Sequence, residues 1–381
     1  MANGLTVGWL VLELSDSPFW VGTAAGIMGI GQLGFGVFAG VLIDRLEKRR
    51  LLLAAQIGNG LIPLILGLLV LNEQIALWHI LLGQFLLGVW TSVRAPAFHT
   101  VAYQMVGRQR MLNAAATLNL GLNGARILGS AAVGVLIANW GNEGGLIFAA
   151  VSAFLGAICV LFIGGPYEPE AAREPFLRAA AAGLKYSWDN LPVRRLLSLS
   201  IIMEAFGFSY HVMLPVIARD VLGVGATELG FLSSAGGVGA TLSTLVVAGL
   251  GDYKEKGQLL VFNALAAGLS LVLFALSPWY ILSLLLVMLV NGALMAYDTS
   301  MKTMFLLVTS DEVRGRVNSI YTLTYGFLSL GGFIAGGVAT AVGAPIAIGV
   351  SGLIILAFNL FNLRPLKQLQ AAGDTAPVIT D

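Results

Sequence analysis

The stretch Gly40-Val41-Leu42-Ile43-Asp44-Arg45-Leu46-Glu47-Lys48-Arg49-Arg50 ends in a cluster of four cations and lies between two long apolar runs, 18–43 and 51–71. A bilayer crossing needs about 20 mainly apolar residues, so this stretch reads as a short basic loop joining two membrane spans. The pattern repeats along the chain. Further runs lie at 76–105, 112–139, 145–164, 195–217, 227–250, 258–276, 279–307, 315–341 and 343–363, which makes eleven spans. Residues 1–14 are apolar but too short to cross, and they read as the second half of a first helix. Ser15-Asp16-Ser17-Pro18 ends it, with Ser17 placed to cap the next helix and Pro18 at that helix's first position.

Composition agrees with this reading. The 381 residues are 57% hydrophobic and only 11% charged, with a mean hydropathy of +0.86. Soluble chains carry about 25% charged residues, so too few charges are present to cover a water-facing surface. A net charge of +1 argues against a nucleic-acid footprint. Cys159 has no partner for a disulfide or a thiolate metal site, and His79, His99 and His211 are far apart. No paired-His motif, nucleophile elbow or phosphate-cradling loop is found. The expectation is a membrane protein that is not an enzyme and holds no metal or cofactor. The 48 glycines, spread along apolar runs, suit helices that pack closely in a bilayer.

Placing every Lys and Arg gives the orientation. One face collects Arg45, Lys48, Arg49 and Arg50; Arg108 and Arg110; Arg173, Arg178, Lys185, Arg194 and Arg195; Lys254 and Lys256; Arg314 and Arg316; and Arg364 and Lys367. Arg219 alone falls on the other face, and Arg94, Arg126 and Lys302 lie inside spans. The positive-inside rule makes the basic face cytoplasmic and puts the C-terminus there.

The longest hydrophilic stretch divides the chain. The expected units are an N-terminal bundle at 1–164, a cytoplasmic linker at 165–194, a C-terminal bundle at 195–363 and a disordered cytoplasmic tail at 364–381. Within the linker Leu177, Ala181, Leu184 and Trp188 recur at helical spacing, which suggests a helix lying in the membrane interface. The halves also echo one another: Gly40 to Arg45 has a counterpart in Gly249 to Lys254, and Val106 to Asn113 one in Val308 to Asn318. Repeated halves mark secondary transporters, whose site lies at the repeat interface near the midplane.

On these residues the sequence resembles the major facilitator superfamily. The run Gly40-x-x-x-Asp44-Arg45-x-x-Lys48-Arg49-Arg50 is similar to its cytoplasmic signature loop, with Glu47 where the family pattern has Gly, and the stretch around Asp252 is similar to its degenerate second copy. The phrases Gly8 to Leu14, Ser17 to Gly22, Leu112-Asn113-Ala114, Ala125 to Gly129 and Arg314 to Val317 resemble the branch containing enterobactin (siderophore) exporters and macrolide efflux proteins. The resemblance implies an all-α integral membrane protein with the major facilitator fold: two six-helix bundles related by a pseudo-two-fold axis, here as eleven full spans plus a half, the first helix being truncated. It further implies that Gly40, Asp44, Arg45, Lys48, Arg49, Arg50 and Asp252 form a cytoplasmic gate, and that the helix bearing Gly121, Gly124 and Gly129 takes part in gating. Relatives often carry Gly-Pro where this chain has Gly129-Ser130, a departure that counts against proton antiport.

An ionisable group inside a span costs at least about 2.5–3.5 kcal/mol and usually faces a cavity or a partner. The candidates for cavity or proton-coupling roles are Arg94, Arg126, Glu204, Asp298 and Lys302, with Glu13 near the outer end of the first helix. Asp298 and Lys302 stand four apart and share a helix face; they either neutralise each other or change their pairing during transport. Glu204 has no opposite charge nearby in its own helix, which marks it as a proton carrier, a cross-helix hydrogen-bonding group or the partner of a charge on another helix. Arg94, just before Pro96, either holds the carbonyls that proline frees or serves as a cavity counter-charge. Arg126 sits among glycines, where neighbouring backbones are expected to approach. Pairs such as Gly22 with Gly26, Gly36 with Gly40 and Gly332 with Gly336 fit small-xxx-small packing.

The expected function is secondary transport: export of a small amphipathic molecule by alternating access, coupled to protons, by a monomer in the bacterial cytoplasmic membrane. The alternatives are an uncoupled facilitated transporter and a non-transporting sensor or degenerate transporter.

Overall fold

The computed structural model describes residues 2–106, 111–164, 176–249, 256–309 and 311–362. Arg108, Arg110, Arg173, Asp252, Lys254 and the 364–381 tail lie outside the described residues, as do the side chains of Gly40, Asp44, Arg314 and Arg316.

The first half contains α1 (Ala2–Ser15), α2 (Pro18–Arg45), α3 (Lys48–Leu71), α4 (Leu77–Val106) and α5 (Met111–Leu161). Helix α5 supplies two spans, because it folds back at Trp140 and Gly141. Gly141 has φ of +69°, a left-handed conformation that a residue with a Cβ adopts only under strain. A linker helix, α6 (Phe176–Asp189), follows. The next span is a composite of α7 (Leu191–Ile202), a π segment Met203–Phe208, α8 (Tyr210–Val216) and a second π segment Ile217–Val221. Then come α9 (Ala226–Gly249), α10 (Lys256–Ala275), α11 (Tyr280–Val308), α12 (Asp311–Thr324), α13 (Phe327–Val342) and α14 (Ala344–Phe361). Among the described residues nine helical stretches are long and apolar enough to cross a membrane. The helix boundaries fall within a few residues of the span ends read from charge and Pro punctuation.

Short turns make sequential helices antiparallel neighbours. Asn190 caps α7, its side-chain oxygen accepting from the Val193 amide at 3.2 Å. Ser17 stands at the cap position of α2 and Pro18 at its first turn, but the Ser17 hydroxyl makes no cap bond. Arg49 closes the end of α5 by donating to the Val160 and Leu161 carbonyls at 3.2 and 2.7 Å, a favourable place for a cation beside unpaired helix-end carbonyls.

In the first half α2 packs on α4, α3 on both α4 and α5, and α1 on α5; in the second α9 and α10 pack on α11, and α14 on α10 and α13. Two further pairings, α2 with α13 and α5 with α9, join the halves. A continuous apolar core runs across that junction, including Val11 and Leu12 of α1 and Met213 and Leu214 of α8.

At both junctions backbone meets backbone. A Cβ on Gly22 would lie 2.7 Å from the Gly332 carbonyl oxygen and 2.9 Å from the Gly336 Cα, and one on Gly134 would lie 2.6 Å from the Ala226 oxygen and 2.8 Å from the Gly230 Cα. Ser130 and Ser233 join hydroxyls at 3.0 Å beside the second junction, and Ser234 donates to the Ile127 carbonyl at 2.7 Å. Both lie away from the Arg45 end of α2, on the side opposite the basic loops. There too Arg219 bridges the halves: it reaches Asp16 at 2.6 Å, donates to the Leu12 carbonyl at 3.0 Å and contacts Asp220 at 2.6 Å. One expectation is corrected. Gly36, Gly121, Gly124 and Gly129 have no atom of another element among the described residues within 4 Å of where a Cβ would stand; α5 instead meets α9 at its own Gly134 and, against Gly237 of α9, at Arg126 and Ile127.

Helix α6 rests against α7 and α12 and touches α2. Leu184 and Trp188 point outward, 60% and 68% exposed, and the Arg194 guanidinium sits 5.6 Å from the Trp188 ring centroid.

Candidate functional site

Two polar clusters interrupt the apolar interior. The first is built around Asp298 of α11. Lys302, one turn on, places Nζ 2.7 Å from Asp298 Oδ2, so the pair read from the spacing is formed within the helix. The other carboxylate oxygen, Oδ1, accepts from the phenols of Tyr321 and Tyr325 of α12, the latter at 3.2 Å. Lys302 Nζ also lies 5.9 Å from the centre of the Tyr325 ring. Asp298 is 8% exposed; each of its oxygens has a donor, which is what a buried carboxylate requires.

Glu204 sits at the start of the π segment Met203–Phe208 and is 5% exposed. A π turn displaces side chains from ordinary helical register and is frequent at functional sites. Its charge interacts with Asp298 and Lys302 across the helix boundary. No hydrogen bond or ion pair to Glu204 is formed among the described residues. Tyr297, beside Asp298 in sequence, is 2% exposed with its hydroxyl unpaired among the described residues, and it too interacts with Glu204 and Asp298.

The second cluster crosses the junction of the halves. Asn291 of α11 donates to the Tyr210 hydroxyl, and its side-chain oxygen lies 3.2 Å from His211 Nε2. The Tyr210 and His211 rings stack with centroids 4.3 Å apart. Arg126 comes from the other half. Its Cγ would lie 3.4 Å from a Cβ on Gly237, and it interacts electrostatically with both Tyr210 and His211.

The remaining candidates go elsewhere. Glu13 does not join either cluster: Trp9 Nε1 and Asn142 Nδ2 donate to its two oxygens at 2.6 and 2.5 Å, tying α1 to the second arm of α5. Arg94 makes no hydrogen bond or ion pair among the described residues, so the carbonyl-holding role is not seen there. Of the loop motif, Arg49 caps α5, Arg50 pairs with Glu47 at 2.6 Å and Lys48 is buried at 4% exposure. Tyr210, Asn291, Tyr297, Tyr321 and Tyr325 carry no charge and were not singled out in the sequence. The one available signal was Tyr321 with Tyr325, four apart on the helix after the Asp298 span.

Two helical halves joined along α2–α13 and α5–α9, with charged groups confined to a few interior clusters, define a major facilitator transporter: a multi-pass membrane protein and not an enzyme. The chain belongs to the transmembrane secretion effector family, which it matches over residues 1–377. It is similar to the enterobactin exporter EntS of Escherichia coli O1:K1 / APEC, with 26% identity over 385 residues covering 99% of this chain and 90% of the relative; EntS of Shigella boydii serotype 18 gives the same figures. Among solved structures it is similar to the nucleoside transporter NupG, with a TM-score of 0.71 at 15% identity, covering 96% of this chain and 94% of that one. A bacterial homolog of the human lysosomal transporter Spinster, in an inward-facing and unoccupied conformation, gives 0.72 at 13% identity, covering 98% and 94%. At these identities the structural likeness speaks for the fold alone.

Proposed function

We propose that this chain is a secondary transporter that exports a small amphipathic molecule, of the drug or siderophore type, by alternating access coupled to inward proton movement. The observation that carries the reading is the pair of buried carboxylates in the second half. Asp298 is neutralised by Lys302 and two phenols, whereas Glu204 is buried without a described donor. A charge retained inside a membrane at such cost ordinarily faces a cavity or a translocation pathway. Protonating Glu204 removes its repulsion toward Asp298, which makes the cluster sensitive to proton occupancy without any metal or nucleotide.

The geometry of the junctions supports the alternating part. The halves are sealed through Gly22–Gly336 and Gly134–Gly230 on the face away from the basic loops, while Gly121 and Gly124 stand clear of described neighbours on the other side. With the basic face in the cytoplasm, the outer side is the closed one. In the opposite state Asp44 and the neighbouring cations would latch the inner side. The similarity to enterobactin exporters supports export as the direction. The protein acts as a monomer in the bacterial cytoplasmic membrane with its C-terminus inside.

Proteoliposomes holding a pH-sensitive dye test this. Adding a transported drug or siderophore should move protons with it, and Glu204→Gln should abolish that proton movement. If Glu204→Gln and Asp298→Asn both leave substrate efflux and its response to a pH gradient unchanged, the antiport reading fails and uncoupled facilitated transport replaces it.

A further inference from the structure

Inside its spans the first half carries Arg94 and Arg126, and the acid nearest to them in kind, Glu13, is already bound to Trp9 and Asn142. In the second half the charges are Glu204 and Asp298 against Lys302. The two sets do not cancel across the junction. The electrostatic neighbours of Glu204 are Asp298 and Lys302, and those of Arg126 across the interface are Tyr210 and His211, neither of them a carboxylate. Arg126 therefore has no carboxylate partner among the described residues. Its side chain is partly rather than fully buried.

The surrounding residues are arranged to receive it. Gly236 and Gly237 of α9 are consecutive and buried: a Cβ on Gly236 would collide with the Asn291 amide, and one on Gly237 would lie 2.8 Å from Ile127 Cγ1. The bare backbone thus admits Asn291 from its own half and the Arg126 stem from the other. Asn291 in turn fixes Tyr210 and His211 by hydrogen bonds on both sides of its amide. His211 is the half-buried member of that set, stacked on fully buried Tyr210.

Resting on the export reading above, we infer that Arg126 is the charge-recognition residue of the substrate site and that the exported molecule is an amphipathic anion, its negative group held by Arg126 beside His211. Tyr210 and Asn291 are positioning residues that hold the His211 ring. Arginine suits the task because its planar fork binds carboxylate or a similar oxyanion bidentately. The site straddles both halves, so an anion bound there neutralises a cation that would otherwise stand unpaired at the moving interface.

The test is equilibrium binding to the full-length protein in detergent, with no ion gradient, using two probes on one ring system: 2-naphthalenesulfonate and N,N,N-trimethyl-2-naphthylammonium. The sulfonate should bind saturably and at least about ten-fold tighter than the ammonium. Arg126→Gln should erase that ratio, while Arg126→Lys keeps the preference in weakened form. Monodisperse elution of each variant establishes that it is folded; should Arg126→Gln fail this, the wild-type ratio and Arg126→Lys decide. Equal binding of the two probes, no saturable sulfonate binding, or an unchanged ratio in Arg126→Gln overturns the inference. Because no transport is measured, loss of proton coupling leaves this result untouched. A protein that exports neutral or cationic drugs and binds both probes equally would refute the anion site while keeping the export reading.

Discussion

Asp298 divides its two oxygens between different kinds of donor, and that division sets what each substitution should cost. The Lys302 side chain is half exposed although Asp298 is buried; Lys302→Gln keeps a side-chain donor and leaves both phenols on the carboxylate, so it is expected to cost about 1 kcal/mol, less than the roughly 3–5 kcal/mol of a buried charge left without a partner. Tyr321 is 4% exposed and donates to a charged acceptor, a class of bond worth about 1.5–3 kcal/mol against roughly 0.6 for a typical interhelical bond between neutral groups in a membrane. Tyr321→Phe should therefore destabilise the purified protein more than Lys302→Gln, and more than Tyr325→Phe, whose bond is longer at 3.2 Å. Denaturant unfolding of the three variants in one detergent gives the order directly; Lys302→Gln proving the most damaging would refute the assignment. At this scale the sequence was partly legible. Asp298 and Lys302 share a helix, so spacing alone brings them together. Tyr321 reaches Asp298 from another helix, and Asn291 meets Tyr210 and His211 in the same way; no periodicity encodes which faces of two helices meet.

Among helices the decisive contacts are the four glycines of the two junctions. A methyl group at Gly134 would come 2.6 Å from a backbone oxygen, and backbone cannot swing aside as a side chain can. Gly134→Val is expected to fold, because it faces only one moving interface, but to hold the halves apart on the outer side and reduce export at least about ten-fold. Gly34→Ala is the control. It has no atom among the described residues within 4 Å, and replacing Gly by Ala inside a helix gains up to about 1 kcal/mol. Side-by-side export assays separate the two; equal loss in both would mean that the junction has no special role. Here sequence reading succeeded for span ends and for Gly22, Gly332 and Gly336 as packing positions. Around Arg126 the close approach comes from Gly237 of α9 and not from Gly121, Gly124 or Gly129, since glycines lining a gap and glycines touching a neighbour look alike in one chain. The π segments were equally invisible, because neither hydropathy nor charge spacing marks a π turn.

Across the whole molecule, Arg219 is the one cation placed on the outer face by the sequence, and the structure uses it to tie α1 to the end of the composite span. Losing a largely exposed pair of this kind shifts a two-state balance by about 1 kcal/mol, roughly five-fold in population. In a Cys159→Ser background, Ser233→Cys should resist an impermeant thiol reagent added from outside, and adding Arg219→Gln should raise its labelling several-fold. A cysteine at Glu73 should label from outside in intact cells and one at Lys185 only after permeabilisation; the reverse pattern would invert the topology. On the orientation proposed above, the closure at this end has two components that answer to different surroundings. The glycine junctions are backbone against backbone, with no charge to screen and nothing to protonate or oxidise, so their strength does not depend on ionic strength. The Arg219 link, exposed and electrostatic, weakens as salt rises. A cell surface that swings between dilute and saline conditions would leave the seal intact and adjust only how readily it opens, with external salt acting as a dial on turnover.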